Sequence, residues 1–146
     1  MITKELKFSE YYNDIILEEI EKMYDVSRDK IFLGSRKKNI IYAKRMYIYV
    51  IREVFSLTVT EIAELSNLHH ASVIHHTRQF EFFYNNYVKD SDDYKRVENR
   101  IKEVEVDEEI QGLEKQLKTI KQTLTELYNI KKIKDEREKR ESLLAE

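Results

Sequence analysis

Apolar residues recur at intervals of three and four along most of this chain, which is the spacing of one face of an α-helix. The first run predicts a helix over residues 11–25, with its apolar face at Tyr12, Ile15, Ile16, Ile20 and Met23. Residues 28–33 predict a short helix that Ser27 can cap and that Gly34 can close. Residues 40–55 are apolar on most sides, which predicts a central, buried helix.

The middle of the chain predicts two helices joined by a tight turn. Thr58 or Thr60 can cap a helix that ends before a turn at residues 66–68, and a longer helix begins near His69 or His70. A short helix, a turn of about three residues and a longer helix with a polar start are typical of a helix-turn-helix.

The last predicted helix carries a narrow apolar stripe. Ser91, followed by two aspartates, can cap its start. The stripe has the spacing 4-3-4-3-4-3 and consists of Val106, Ile110, Leu113, Leu117, Ile120, Leu124 and Leu127. Such a seam favours a coiled coil, most simply a homodimer, with the partner helix either parallel or antiparallel. The alternative, packing on its own domain, needs a wider apolar face. The charged segment beyond Ile133 is expected to fray.

The distribution of charge points to one region. The chain has 26 Lys and Arg against 28 Asp and Glu, a net charge of −2, which gives no overall nucleic-acid signal. Between Arg28 and Arg45, however, seven basic residues accompany the single acid Asp29. Such a cluster is the electrostatic footprint of a nucleic-acid surface, against the alternative of an ordinary solvated loop.

Composition excludes several kinds of site. The chain has no cysteine, which excludes disulfides and thiolate zinc sites. With only two glycines and no proline it cannot contain a glycine-rich phosphate loop, so we expect no nucleotide or other cofactor. Nothing resembles a catalytic triad or a paired-carboxylate cleft, and we expect no enzyme. Without a secretory signal or a membrane-spanning apolar run, the protein is expected to be cytoplasmic and to have no membrane partner.

Four histidines lie within eight residues, at positions 69, 70, 75 and 76. On a helix, metal ligands need a spacing of three or four, and none of the six pairings has it. We therefore predict no metal site, and interpret these histidines as hydrogen-bonding groups at a DNA surface or as ordinary surface residues. The tyrosines at helical spacing favour core and rim positions over base stacking, and only Tyr42, beside the basic loop, is kept as a possible nucleic-acid contact.

From about Ile15 to Val104, the order of these features resembles the C-terminal duplex-binding domain of the bacterial replication initiator DnaA, which has a Trp-repressor-like helical fold. The matching segments are YDVSRDKI (24–31), the basic loop SRKKN (35–39), AKRMYIYVIRE (43–53), LTVTEI (57–62) and HASVIH (70–75). The resemblance implies an all-α helix-turn-helix domain, which we assign to residues 1–104. The coiled-coil helix predicted from the apolar stripe follows over 105–146. The initiator's ATPase module has no counterpart in this sequence, so replication initiation is not implied.

The resemblance also implies which residues contact DNA. In that family one helix enters the major groove and a basic loop residue enters the minor groove. The base-reading positions fall on His69, His70 and Ala71, and the minor-groove position falls on Lys38. The phosphate-contacting positions fall on Arg45, Val59, Thr60, His75 and Gln79, with Ser72 also at the groove. Arg36, Lys37 and Lys44 are added from the basic cluster, where they supply further positive charge.

The sequence departs from the family at the base-reading positions. His69 replaces an acid and Ala71 replaces a threonine, and the turn before them is one residue shorter. An acid accepts a hydrogen bond from cytosine N4, whereas a histidine can donate to guanine N7 or O6, and an alanine can touch a thymine methyl. We therefore expect a DNA site that differs from the initiator's own.

Two functions are compatible with this pattern. The first is a sequence-specific, duplex-binding transcription regulator or replication accessory protein that dimerises through the last helix. The second is a structural or adaptor protein that uses the helical domain and the coiled coil for protein contacts. The basic loop, in register with the helix-turn-helix, favours the first.

Overall fold

The computed structural model describes residues 6–145, and within that range it contains six helices and no strand. The helices are α1 (Glu10–Tyr24), α2 (Arg28–Ile31), α3 (Lys38–Phe55), α4 (Val59–Ser66), α5 (His70–Asn86) and α6 (Val88–Leu144). The chain divides into two compact units, Met1–Glu103 and Val104–Glu146. The all-α prediction is confirmed. The prediction of no secretory signal refers to residues 1–7, and residues 1–5 of that segment lie outside the described residues.

Helix α3 forms the centre of the first unit. Ten of its 18 residues are buried, and it contacts α1, α2, α4 and α5. Tyr47 on α3 donates a hydrogen bond from its hydroxyl to Asn13 Oδ1 on α1 at 2.6 Å, and burial raises the pKa of this tyrosine to about 12. This partner allows a phenol to lie in an otherwise apolar interior without an unsatisfied hydroxyl.

An aromatic cluster joins α3, α5 and the beginning of α6. The ring of Tyr49 lies 4.6 Å from that of Phe80 and 5.2 Å from that of Tyr94. One and two turns further along α6, Val97 and Ile101 are fully buried. These contacts fix α5 against α3, so the helix-turn-helix cannot move independently of the central helix.

Most predicted helix ends are close to the observed ones, and the differences have local causes. The prediction that Gly34 closes α2 is wrong: α2 ends at Ile31, and all positive-φ residues in the described chain are non-glycine, namely Asp25, Ser56 and Asn67. Ser27 precedes α2, but within the described chain its side chain makes no capping hydrogen bond. Helix α3 begins at Lys38 rather than at residue 40, so Lys38 belongs to a helix and not to the loop.

The last helix also differs from its prediction at both ends. Helix α6 begins at Val88, directly after Tyr87, so Ser91 lies inside the helix rather than capping it. At the other end, the charged segment after Ile133 continues the helix to Leu144 instead of fraying. No helix among residues 6–145 has an apolar stretch long enough to cross a membrane.

Candidate nucleic-acid interface

The helix-turn-helix consists of α4, a turn at residues 67–69 and α5. Thr58 caps α4, since its hydroxyl accepts a hydrogen bond from the Glu61 N–H while the Glu61 carboxylate accepts from the Thr58 N–H. At the other end Asn67 adopts the left-handed conformation, with φ of 53°, and the Ala63 carbonyl accepts from Leu68 N–H at 3.1 Å. Both ends of α4 are therefore fixed, and the turn directs the chain into α5.

The start of α5 presents polar side chains to solvent. His69, His70 and Ala71 are exposed and Ser72 is half-buried, while Val73 is buried and anchors the first turn. Within the described chain, the side chain of His69 makes no capping hydrogen bond, and the first turn of α5 has no acid. The positive end of the helix dipole therefore faces outward beside two histidines, which suits a negatively charged or hydrogen-bonding ligand.

The same outer face of α5 continues past the predicted residues. His75 is exposed four residues after Ala71, and Arg78 is exposed three residues after His75. Gln79 is half-buried at the edge of this face. Arg78 is a basic residue that the sequence analysis missed, although its spacing of seven from Ala71 could have identified it.

Lys38 lies on the side of α3 that faces α5. It precedes Tyr42 by four residues and Arg45 by seven, which puts all three on one side of the helix. Tyr42 contacts the ring of Phe83 on α5 edge-on at 6.2 Å, and the Arg45 guanidinium lies 5.9 Å from the centre of the same ring. Lys38 itself is exposed, in the first turn of α3.

Arg45 is held by His76, a histidine that the sequence analysis assigned to a DNA surface or to the ordinary surface but not to a contact with Arg45. Arg45 Nε donates a hydrogen bond to His76 Nδ1 at 3.3 Å, which requires that nitrogen to be unprotonated. Burial, together with the charges of Arg45, Lys44 and His75, lowers the pKa of His76 to about 4. His76 is therefore neutral at physiological pH and positions the guanidinium. The contact joins residues 31 apart in sequence, so no local pattern could have indicated it.

Lys44 is a correction to the predicted surface. Its side chain is only 6% exposed, and Nζ donates to the Leu33 carbonyl at 3.4 Å across the loop before α3. Burial lowers the pKa of this amine. Lys44 is buried because of its angular position on α3. Like its neighbour Ala43, it lies on the side of the helix that residues 31–35 cover. Lys44 therefore fixes the loop, and it does not belong with the exposed basic residues.

The other predicted residues divide into exposed and half-buried positions. Arg36 and Lys37 are exposed just before α3, where the Lys37 N–H donates to the Ser35 hydroxyl at 3.2 Å. Val59 and Thr60 begin α4, the former half-buried and the latter exposed. The exposed part of the predicted surface thus comes from the loop before α3, the starts of α3, α4 and α5, and the second turn of α5. Among residues 6–145, no cluster of three or more His, Cys, Asp or Glu could hold a metal ion.

The Arg45–His76 contact predicts a specific loss of stability in acid. The pKa of His76 is 6.5 in its ordinary state and about 4 in the folded chain, so between these values the unfolded state binds a proton that the folded state does not. Stability should be complete above about pH 6.5 and should fall toward pH 4, by at most about 1.4 kcal/mol per pH unit from this group.

Urea unfolding at several pH values measures this effect. His76→Gln keeps an acceptor for Arg45 and removes the titration, so its stability should fall less than that of the parent between pH 6.5 and pH 4. His70→Gln, at an exposed position of the same helix that is not among the causes of the lowered His76 pKa, is the control and should retain the parental decline. The same decline in the parent and in His76→Gln would show that His76 is not held neutral.

Comparison with known proteins identifies the domain. The family model described as "Bacterial dnaA protein helix-turn-helix" matches residues 13–79, a span that runs from α1 into α5. The chromosomal replication initiator protein DnaA of Kosmotoga olearia is 29% identical over 68 residues, which are 47% of this chain and 15% of that protein. The DnaA proteins of Lachnoclostridium phytofermentans and Sulfurimonas denitrificans are 29% and 31% identical over 69 and 64 residues.

Each of these three relatives is matched over only 15% of its own length. The similarity therefore concerns one domain and not the whole initiator. The matched span contains α3, α4, the turn and residues 70–79 of α5, which include its exposed start. Residues 13–79 match the helix-turn-helix domain of bacterial DnaA, which confirms the resemblance found in the sequence.

Proposed function

We propose that residues 6–103 bind double-stranded DNA in a sequence-dependent manner, with α5 in the major groove and Lys38 at the adjacent minor groove. The observation that carries this proposal is the exposed, acid-free start of α5, which is presented by a helix-turn-helix of the DnaA type. An α-helix fits the major groove of B-form DNA, where each base pair offers a distinct set of donors and acceptors.

Base reading is assigned to the first turn of α5. His69 and His70 are exposed and can donate hydrogen bonds to guanine N7 or O6, while the methyl group of Ala71 can contact a thymine methyl. Ser72 can serve as donor or acceptor at the same groove. Histidines in place of an acid select a different base, so the preferred site differs from that of the DnaA initiators.

Phosphate contacts are assigned to the residues that surround this turn. Arg36, Lys37 and Arg45 supply positive charge on the α3 side, and Thr60 with the backbone at Val59 supplies donors at the start of α4. On α5, His75, Gln79 and the newly identified Arg78 extend the contact along the strand. Lys44 is removed from this set because it is buried against Leu33.

We further propose that the chain acts as a regulator of transcription or an accessory to replication, with no catalytic step of its own. The α5 contacts would then determine where the chain binds on the DNA. The effect on transcription or replication would depend on which proteins the bound chain recruits or blocks. This role requires only that the domain bind DNA and discriminate between base sequences. The proposed surface can do both without a nucleotide or a metal.

Substitutions at the proposed surface should separate base reading from phosphate binding. Measured by fluorescence anisotropy on a selected duplex, His70→Ala should cost about 1–3 kcal/mol and relax discrimination at one base pair. Lys38→Ala should weaken binding and reduce discrimination where the minor groove is contacted. Arg36→Gln with Lys37→Gln should weaken all duplexes alike and lower the slope of log K against log salt by roughly 1–2.

The matched control is Lys95→Ala, which removes an exposed lysine from α6 in the same unit, outside the proposed surface. It should bind as the parent does. If His70→Ala and Lys38→Ala also bound as the parent does, the surface would be wrongly assigned. If the parent bound with no dependence on salt at all, the adaptor function would be favoured over DNA binding.

We also propose that the second unit forms a homodimer. The apolar stripe, which is the set Val106, Ile110, Leu113, Leu117, Ile120, Leu124 and Leu127, is exposed at 43–57% in the single chain. A row of this kind on one helix gains burial only from a second helix, and the heptad spacing matches a two-stranded coiled coil. Two copies would hold two DNA-binding units on one molecule and raise apparent affinity through effective concentration.

Disruption of the stripe tests the dimer by sedimentation. Leu117→Asp with Leu124→Asp should convert the dimer to a folded monomer that binds DNA more weakly, because each change places a carboxylate in the seam. Thr119→Asp with Thr125→Asp adds the same charges outside the stripe and should leave the dimer intact. A parent chain that sediments as a monomer at tens of micromolar would contradict the proposal.

A further inference from the structure

We infer that the apolar stripe pairs antiparallel with the stripe of a second copy, in the register that sets Leu117 opposite Ile120. The inference rests on the proposed homodimer and specifies its geometry. It follows from the charged residues that flank the stripe, because those residues meet each other differently in the two possible orientations.

Two rows of side chains border the stripe, and all of them are exposed. One row follows the stripe residues Val106, Leu113, Ile120 and Leu127 and comprises Asp107, Glu114, Lys121 and Tyr128. The other row comprises Glu109, Gln116, Thr123 and Ile130. These residues directly precede Ile110, Leu117 and Leu124 of the stripe and Lys131, which occupies the next position of the same heptad series. In a parallel pair each row meets the other row of the partner, whereas in an antiparallel pair each row meets itself.

A parallel pair would place like charges together. In a parallel pair, each second-row residue lies near a first-row residue of the other copy whose number is five higher. Glu109 of each copy therefore meets Glu114 of the other, which gives two such contacts per dimer. The end of the stripe would add Lys131 opposite Lys131. A pairing of Lys102 with Asp107 would offset part of this repulsion, but Lys102 already pairs with Glu98 in its own helix at 3.0 Å.

The antiparallel pair in the proposed register has no like-charge contact between these rows. Glu114 meets Lys121 twice, and Asp107 meets Tyr128. The second row contributes only Gln116 with Thr123 and Glu109 with Ile130. Inside the seam Ile110 lies opposite Leu127 and Leu113 opposite Leu124, so all layers except the two terminal ones are apolar on both sides. In those terminal layers Val106 faces Lys131, whose methylene stem can cover it.

The neighbouring antiparallel register is disfavoured by the same reasoning. Shifting the second copy by one heptad sets Leu113 opposite Leu117, places Glu114 opposite Glu114, and leaves Leu127 facing Glu103. The number of apolar layers stays the same, but the terminal Val106–Lys131 layers become Leu127–Glu103 layers. Asp107–Lys121 contacts replace the Glu114–Lys121 contacts, and a repulsive Glu114–Glu114 pair is added at the centre. The charges therefore select both the orientation and the register.

This geometry has a consequence for DNA binding. In the proposed register Val106 of one copy and Val106 of the other are separated by 25 residues of helix, roughly 37 Å along the coil at 1.5 Å per residue. Because the DNA-binding unit precedes Val106 in each chain, the DNA-binding units of the two copies are connected to opposite ends of the coil. The two points of attachment are thus about as far apart as adjacent half-sites, which lie roughly 34–36 Å apart on B-form DNA.

Charge reversal distinguishes the orientations by the sign of its effect. In the whole 146-residue chain at low salt, Glu114→Lys should raise the dimer dissociation constant on the order of tenfold if the pair is antiparallel, since it creates two Lys–Lys contacts. In a parallel pair the same change would tighten the dimer, because it replaces two Glu–Glu contacts. Adding Lys121→Glu to Glu114→Lys should restore the parental constant, and Glu126→Lys, with equal charge change on the outer face, should have little effect.

Disulfide exchange provides the second measurement, and the chain has no cysteine to interfere. Ile110→Cys and a size-tagged Leu127→Cys are mixed in a glutathione redox buffer and resolved on a non-reducing gel. Mixed disulfides should dominate, because these positions lie opposite each other only in the proposed register. A predominance of the two like-with-like disulfides would overturn the antiparallel arrangement while leaving the dimer standing. A monomeric parent by sedimentation would overturn both.

Discussion

Helix α3 can bury ten of its residues only by contacting α1, α2, α4 and α5 at the same time, and the rest of the first unit is arranged by that requirement. Burial of apolar area on this scale is the dominant stabilising term in a domain of about 100 residues. Because α5 packs on α3 through Tyr49 and Phe80, the outer face of α5 has a fixed orientation relative to the start of α3. The proposed DNA surface depends on this packing rather than on the loops alone.

The same packing divides basic residues that are neighbours in sequence. Lys44 is turned inward to the Leu33 carbonyl, and Arg45 is turned toward α5, where His76 and Phe83 hold its guanidinium. A neutral His76 accepts the hydrogen bond and adds no charge beside Arg45, which keeps the arginine in place without repulsion. The two adjacent basic residues thus have different roles: Lys44 stabilises the fold and Arg45 contributes to the surface.

Much of the fold could be predicted from the sequence, because helical periodicity and the capping residues around α4 are local signals. The central helix, the helix-turn-helix and the exposed stripe followed from spacing alone. The burial of Lys44 could not, since a helix that is apolar on most sides does not reveal which polar residue turns inward. The Arg45–His76 contact was also out of reach, because it joins distant positions, whereas Arg78 could have been found from the period of α5.

The central claim is that the α5 surface reads the sequence of duplex DNA, and selection from a pool of random duplexes tests it most directly. The whole 146-residue chain would be used for repeated rounds of selection at two salt concentrations, followed by sequencing. The account predicts enrichment of a short motif at both concentrations, with total binding reduced at the higher one because phosphate contacts are lost. Binding that disappears at the higher salt with no enriched motif at either concentration would contradict sequence-specific recognition.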